Sequence, residues 1–316
     1  VKIVLLEPLA IHQKKLKELS SKLIAMGHEF VAYDTVETDE NLLKERVKEA
    51  DILIIANHPL SGEVIRYAQN LKYISIAFTG YDHVDLEACE EKNIHVSNAQ
   101  GYATEAVAEL TIAMIISLLR NVIVCNEVVR KGGTKEGFVG KELFGKTVGI
   151  VGTGAIGLRT AQLLKVFGCK LLGFSRSESL RAKELGIEYV GLEELLSNSD
   201  IVSLHLPLNK KTQGLLSKEK IALMKKDALL INTARGAIVD NQALAEALNK
   251  GQIAGAGIDV FETEPPFSDH PLFHAPNTLL TPHVAFATEE SMIKRANIVF
   301  DNVYSWIQGE QKNKVI

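Results

Sequence analysis

The chain is predicted to be an α/β protein built on parallel sheets. Three observations predict this. Short runs rich in Val, Ile and Leu alternate with amphipathic segments along most of the 316 residues. Those runs are continuously apolar, the pattern of strands buried on both faces. Polar or glycine-rich turns follow many of them, where a doubly wound sheet gathers its functional groups. Composition agrees: 46% apolar and 23% charged residues exclude a disordered or fibrous chain.

Residues 1–6 form an apolar run stopped by Glu7 and Pro8. The run lacks a long apolar core and a small-residue cleavage site, so a strand is expected there and not a signal peptide. Further strands are expected at 30–33, 51–56, 73–77 and 94–96, with helices at 13–26, 40–49, 62–68 and 84–92. Residues 104–130 differ. Ala106, Val107, Leu110, Ala113, Met114, Leu118 and Ile123 spread round one long helical stretch with few charges. Such a helix must be buried on most sides, as an inter-domain spine or a dimer contact. Gly132, Gly133, Gly137 and Gly140 then mark a loop. A second series places strands at 147–151, 170–174, 201–206, 228–232, 254–259 and 278–280. Helices fit at 156–167, 179–185, 192–197, 218–223 and 242–250, and a last one at 288–308 is expected to return to the N-terminal half.

Several function classes are excluded. With 35 basic and 39 acidic side chains the net charge is −4, so no nucleic-acid footprint is expected. The longest apolar stretch, 110–119, is too short to cross a bilayer. Cys89, Cys125 and Cys169 form no CxxC pair, which suggests reduced thiols and a cytoplasmic setting. The histidines show no metal-type spacing, and no metal is assigned.

The strongest local signal is Gly152-Thr153-Gly154-Ala155-Ile156-Gly157, after an apolar strand and opening a helix. In this context G-x-G-x-x-G binds a dinucleotide. Gly152 permits the tight turn, Gly154 lets backbone approach the pyrophosphate, and Gly157 lets helix and strand pack closely. Ala155 and Ile156 start the helix, whose N–H groups and dipole favour phosphate. About twenty residues on, an acid would mark NAD. Ser175 and Arg176 stand there instead, and a guanidinium suits a 2′-phosphate. The expected cofactor is therefore NADP(H), or either NADP(H) or NAD(H).

Three later segments each put polar groups just past a strand: Asn232-Thr233-Ala234-Arg235-Gly236, Asp259-Val260-Phe261-Glu262-Thr263-Glu264-Pro265 and Thr281-Pro282-His283. Arg235, Asp259, Glu264 and His283 are expected to share a crevice with the phosphate loop. In the order and spacing of these four motifs the sequence closely resembles the D-isomer-specific 2-hydroxyacid dehydrogenases, over essentially its whole length.

The resemblance implies two Rossmann-like or flavodoxin-like β/α domains with a cleft between them: a substrate-binding domain of residues 1–99 plus 285–316, and an NAD(P)-binding domain of residues 100–284. It implies a homodimer and a small 2-keto or 2-hydroxy acid substrate. It casts Arg235 as substrate anchor, His283 as general acid/base and Glu264 as the histidine's partner. Asp259 resembles the residue that holds the nicotinamide carboxamide. His205, Pro207 and Thr212 lie on the loop used along the cofactor, and Thr233 and Ala234 flank the nicotinamide ribose. Phe78, Thr79 and Gly80 resemble the carboxylate-binding loop, whose backbone N–H groups cradle the substrate. Phe78, where a smaller residue is common, either trims the pocket or offers an apolar wall. Ile76 stands where phosphoglycerate dehydrogenases carry arginine, which argues against a phosphorylated substrate. Glyoxylate or hydroxypyruvate reduction fits best. A dehydrogenase of D-lactate or of branched D-2-hydroxy acids is the alternative, ahead of a dinucleotide-sensing binding protein.

Overall fold

Branched apolar runs bounded by turn residues become strands, and the amphipathic segments between them become helices, because that arrangement buries both faces of a sheet. The computed structural model describes residues 1–316, in two compact units: Val1–Ala103 with Ala287–Ile316, and Thr104–Phe286.

The first unit contains β1 (Lys2–Leu5), α1 (Gln13–Ala25), β2 (Glu29–Ala32), α2 (Glu40–Val47), β3 (Ile52–Ile55), α3 (Gly62–Tyr67), β4 (Tyr73–Ile76), α4 (Leu86–Glu91) and β5 (His95–Asn98). The second runs through α5 (Thr104–Arg120), α6 (Val122–Arg130), β6 (Thr147–Val151), α7 (Ala155–Val166), β7 (Lys170–Phe174), α8 (Leu180–Leu185), β8 (Ile187–Tyr189), α9 (Leu192–Asn198), β9 (Ile201–Leu204), α10 (Lys218–Ile221), β10 (Leu229–Asn232), α11 (Asn241–Asn249), β11 (Gly255–Ile258) and β12 (Thr278–Leu280). The chain then re-enters the first unit as α12 (Glu289–Ile307).

In the first unit five parallel strands run in the order β2-β1-β3-β4-β5. The chain steps one way from β1 to β2 and the other way from β2 onward. Right-handed crossovers therefore put α1 on one face and α2 to α4 on the other. The α12 helix joins the α1 side: Phe300 packs on Phe30 at 5.8 Å, and Trp306 stacks on Tyr73 at 5.0 Å. Residues 100–103 stay with this unit, where Lys294 donates to the Gly101 carbonyl at 2.8 Å and Tyr102 meets Phe78 edge-on at 5.9 Å.

The second unit has seven parallel strands in the order β12-β11-β10-β9-β6-β7-β8. Alternate residues of one strand serve opposite faces. In β10, Leu229 and Ile231 pack towards α5 and α7, while Leu230 packs towards α9 to α11. The direction of travel reverses between β6 and β9, and the carboxyl ends flanking that reversal are where a dinucleotide binds in such sheets.

Two elements differ from the sequence expectation. The helix expected over 104–130 is two helices, bent by 59° at a break. The break is Asn121, at φ 53°, a left-handed conformation that asparagine tolerates. Neither piece is long and apolar enough on its own to cross a membrane. The three-residue β8 has no counterpart in the sequence expectation, because an edge strand this short with Glu188 at its centre carries no apolar run.

Candidate active site

Everything that follows in the second unit sits at the carboxyl ends of its sheet. Past β6, Gly152 takes φ 102°, which favours glycine, and a Cβ there would collide with the carbonyl of His205. A Cβ on Gly157 would collide with the Gly152 carbonyl, so helix α7 lies close against the turn. Open space surrounds the position a Cβ would take on Gly154. The N–H groups of Ala155 and Ile156, in the first turn of the twelve-residue α7, donate to no group of the protein. Close backbone approach, unused donors and the positive end of a helix dipole fit a dinucleotide's pyrophosphate.

Past β7 stand Ser175 and an exposed Arg176, which forms no ion pair. Tyr189 braces this corner. Its hydroxyl bonds Thr153 of the phosphate loop at 2.7 Å and accepts from the Ser179 N–H at 3.0 Å. Past β9, His205 bonds Ser203 through Nε2 at 2.9 Å, and burial pushes its imidazole down to about 4. It is neutral at physiological pH and supplies no acid. The Thr212 hydroxyl donates to the Pro207 carbonyl at 2.6 Å, closing the loop that carries Pro207. Thr212 thus shapes this loop from within.

Past β10, the buried Asn232 folds the turn. Its side chain accepts from the Ala234 N–H at 3.0 Å and donates to the Arg235 carbonyl at 2.9 Å. The Thr233 hydroxyl faces Thr111 of α5 at 3.1 Å, and Thr111 donates onward to the Val107 carbonyl. The half-buried Arg235 guanidinium donates to the Ala234 carbonyl at 2.8 Å. A Cβ on Gly236 would overlap the Phe261 backbone, so glycine lets this turn lie against the one that carries Glu264.

Past β11 and β12, Asp259 builds the turn that presents His283. It is fully buried, and its carboxylate accepts from the Thr281 hydroxyl at 2.6 Å and from the N–H groups of Val284 and Ala285 at 2.9 Å each. Burial pushes the Asp259 carboxyl above its ordinary range, with these bonds pulling the other way. The His283 N–H donates to the Asp259 carbonyl at 2.7 Å. Held so, His283 sits at φ 52°, a conformation that costs a non-glycine residue and persists where its surroundings enforce it.

His283 Nδ1 lies 2.6 Å from Glu264 Oε2, and Glu264 Oε1 accepts from the Phe261 N–H at 3.2 Å. Nδ1–H donates to the carboxylate, leaving Nε2 as the atom that exchanges a proton. Burial pushes the Glu264 carboxyl up, but the bond and charge of His283, the Phe261 N–H and the charge of Arg235 outweigh it and hold it below the ordinary carboxylate range. The pair therefore persists at and above that range and is lost only as pH falls through the lowered value. Arg235, Glu264 and His283 form one electrostatic group.

The first unit carries the other predicted segment, Phe78–Gly80, just past β4. The Phe78 ring is turned inward, against Tyr102 and Arg295, so it is neither a pocket trim nor an apolar wall. The Phe78 carbonyl accepts from the Ala99 N–H and the Thr79 carbonyl from the Asn98 side chain. The N–H groups of Thr79 and Gly80 donate to nothing in the protein. Sequence reasoning missed Asn232, Thr281 and Tyr189 as supports. Asn232 and Thr281 carried a signal, as the first residues of the N-T-A-R-G and T-P-H segments; Tyr189 carried none.

Residues 112–285 match the family model described as D-isomer specific 2-hydroxyacid dehydrogenase, NAD binding domain. The chain is 37% identical over 316 aligned residues to a glyoxylate reductase of Thermococcus litoralis, covering 96% of this chain and 95% of that one. It is 35% identical over 301 residues to a hydroxypyruvate reductase of Blautia hydrogenotrophica, covering 93% of each. Among solved structures, an acyclic imino acid reductase in complex with NADPH and D-Arg superimposes with a TM-score of 0.91 at 30% identity, over all of both chains.

Proposed function

The chain belongs to the D-isomer-specific 2-hydroxyacid dehydrogenase family and is an NAD(P)-dependent oxidoreductase of 2-keto acids; from that premise we propose that it reduces glyoxylate or hydroxypyruvate, with NADPH preferred. The observation that carries this reading is the group of Arg235, Glu264 and His283 at the carboxyl ends of the sheet that also bears the phosphate loop. The Arg235 fork holds the substrate carboxylate and polarises the keto oxygen. His283, kept in register by Glu264 and the Asp259 turn, gives its Nε2 proton to that oxygen. A nicotinamide dinucleotide held by the Gly152–Gly157 loop would supply the hydride. The substrate carbonyl thereby gains one hydride at carbon and one proton at oxygen, giving the 2-hydroxy acid. The reverse oxidation uses His283 as base. The Thr79 and Gly80 N–H groups are assigned to the carboxylate on the family resemblance and their unused donors.

Two likenesses to named reductases support the substrate choice. Arg176 supports the cofactor choice, since no acid stands at the β7 end to repel a 2′-phosphate. A panel of glyoxylate, hydroxypyruvate, pyruvate and a branched 2-keto acid, assayed with both reduced cofactors, tests both. Turnover is expected to be best with the first two. NADPH should exceed NADH in kcat/KM, and Arg176→Ala should raise KM for NADPH about tenfold by loss of one charge-assisted contact. A large preference of the wild type for NADH would reverse the cofactor assignment, and a pyruvate optimum would favour the D-lactate alternative.

We also place the protein in the cytoplasm, on its three unpaired cysteines, and read it as a homodimer. Ile123, Val124 and Val129 on α6 are exposed, Val139 is 94% exposed and Phe144 75%. So much apolar surface on one arm is what a partner copy covers. Light scattering should give twice the mass of one protomer; a monomer at micromolar concentration would refute this.

A further inference from the structure

We infer that Arg295 is a positioning residue for the substrate: its buried guanidinium braces the Phe78 ring and places positive charge behind the Thr79 and Gly80 N–H pair, so that the loop favours a carboxylate over an uncharged group. The inference rests on the reading that this loop receives the substrate carboxylate. Arg295 stands on α12 and is 3% exposed. Its ζ carbon lies 4.8 Å from the centre of the Phe78 ring and 5.9 Å from that of Tyr102. The Phe78 ring, 7% exposed, is thus clamped at the start of the loop. The Phe78 and Thr79 carbonyls accept from Ala99 and Asn98, and the Thr79 and Gly80 N–H groups are left without a partner in the protein.

Arg295 has no carboxylate at hydrogen-bond distance; the Tyr102 hydroxyl bonds it and the charge of Glu7 acts on it from further off. Nη2 donates to the Leu9 carbonyl at 2.7 Å, while buried Nε has no partner. The carboxylate that acts on it is Glu7, whose Oε1 is committed to the N–H groups of Ala56 and His58 at 2.8 and 3.1 Å. An apolar side chain of similar length would fill the same space without the cost of burying a charge. The charge has a use if its field reaches an anion at the loop. In a medium of low effective dielectric it does so over about 10 Å.

Arg295→Met and Arg295→Lys test this, assayed with NADPH on glyoxylate and on its methyl ester. Arg295→Met should raise KM for glyoxylate about tenfold through the lost charge. It should leave kcat within about threefold and KM for NADPH unchanged, the pattern of lost substrate binding. Activity on the ester should be untouched, and Arg295→Lys should recover most of the loss. Equal losses on acid and ester, an unchanged KM for glyoxylate, or lysine no better than methionine would each overturn the inference. If the methionine variant fails to fold, Phe78→Leu replaces it, and should lower the acid-to-ester ratio of kcat/KM; an unchanged ratio overturns the inference. Failure of the proposed function as a whole is separately visible, because the wild type would then reduce no 2-keto acid, whatever residue 295 is.

Discussion

Replacing His283 with alanine is expected to lower kcat for keto-acid reduction by about 10²–10⁴, the usual contribution of a positioned general acid. The reason is atomic. Nδ1 is committed to Glu264 at 2.6 Å, so in the proposed reaction one nitrogen, Nε2, is left to deliver the proton. His205 cannot substitute, because burial pushes it down to about 4 and it carries no proton to give near neutrality. Cofactor binding should survive, since the phosphate loop and its Tyr189 brace use nothing from residues 281–285. Alanine at φ 52° keeps the left-handed strain that His283 already bears and loses the side-chain bond that helps to hold it. His283→Asn is the cleaner variant, because asparagine accepts the left-handed conformation. Both should bind NADPH like the wild type by fluorescence titration and reduce glyoxylate at a small fraction of its rate. A near-normal kcat in either removes His283 from the proton-donor role.

How much of the candidate site is legible in the sequence has a physical basis. Parallel strands buried on both faces must be written in branched apolar residues, so runs such as Ile52–Ile55 and Ile201–Leu204 announce themselves. A polar residue just past such a run can only lie at a strand end, and strand ends of one parallel sheet lie side by side. Arg235, Asp259 and His283 are therefore legible as neighbours. What stays hidden depends on single torsions or on pairings distant in sequence. The break at Asn121 is invisible because the apolar pattern continues across it. The grip of Asp259 on Thr281, Val284 and Ala285 joins residues 22 to 26 positions apart. Tyr189 reaches Thr153 across 36. Phe78 reads as a pocket trim or a pocket wall because an aromatic in a loop gives no sign of facing inward, and its clamp, Arg295, lies at the other end of the sequence.

Arg235→Met should be nearly as severe as loss of the histidine, but in a different pattern. A guanidinium makes two parallel bonds to a carboxylate or to a carboxylate and the adjacent keto oxygen, each worth about 1.5–3 kcal/mol when one partner is charged. Losing both costs about 3–6 kcal/mol, or about 10²–10⁴ in kcat/KM. The loss should divide between the two constants. Ground-state binding of the carboxylate appears in KM, whereas polarisation of the carbonyl grows as negative charge develops on oxygen and appears in kcat. Arg235→Lys keeps the charge but not the fork, so it should recover part of KM and little of kcat. Glu264 reports the same change independently. The Arg235 charge helps hold its carboxyl below the ordinary range, so in Arg235→Met that carboxyl should protonate at higher pH and the His283 pair should fail at less acid pH. The acid limb of the kcat profile would then move upward, a shift that lost substrate binding alone would not produce. A variant with raised KM but wild-type kcat and an unmoved acid limb would reduce Arg235 to an anchor and assign carbonyl polarisation to another donor.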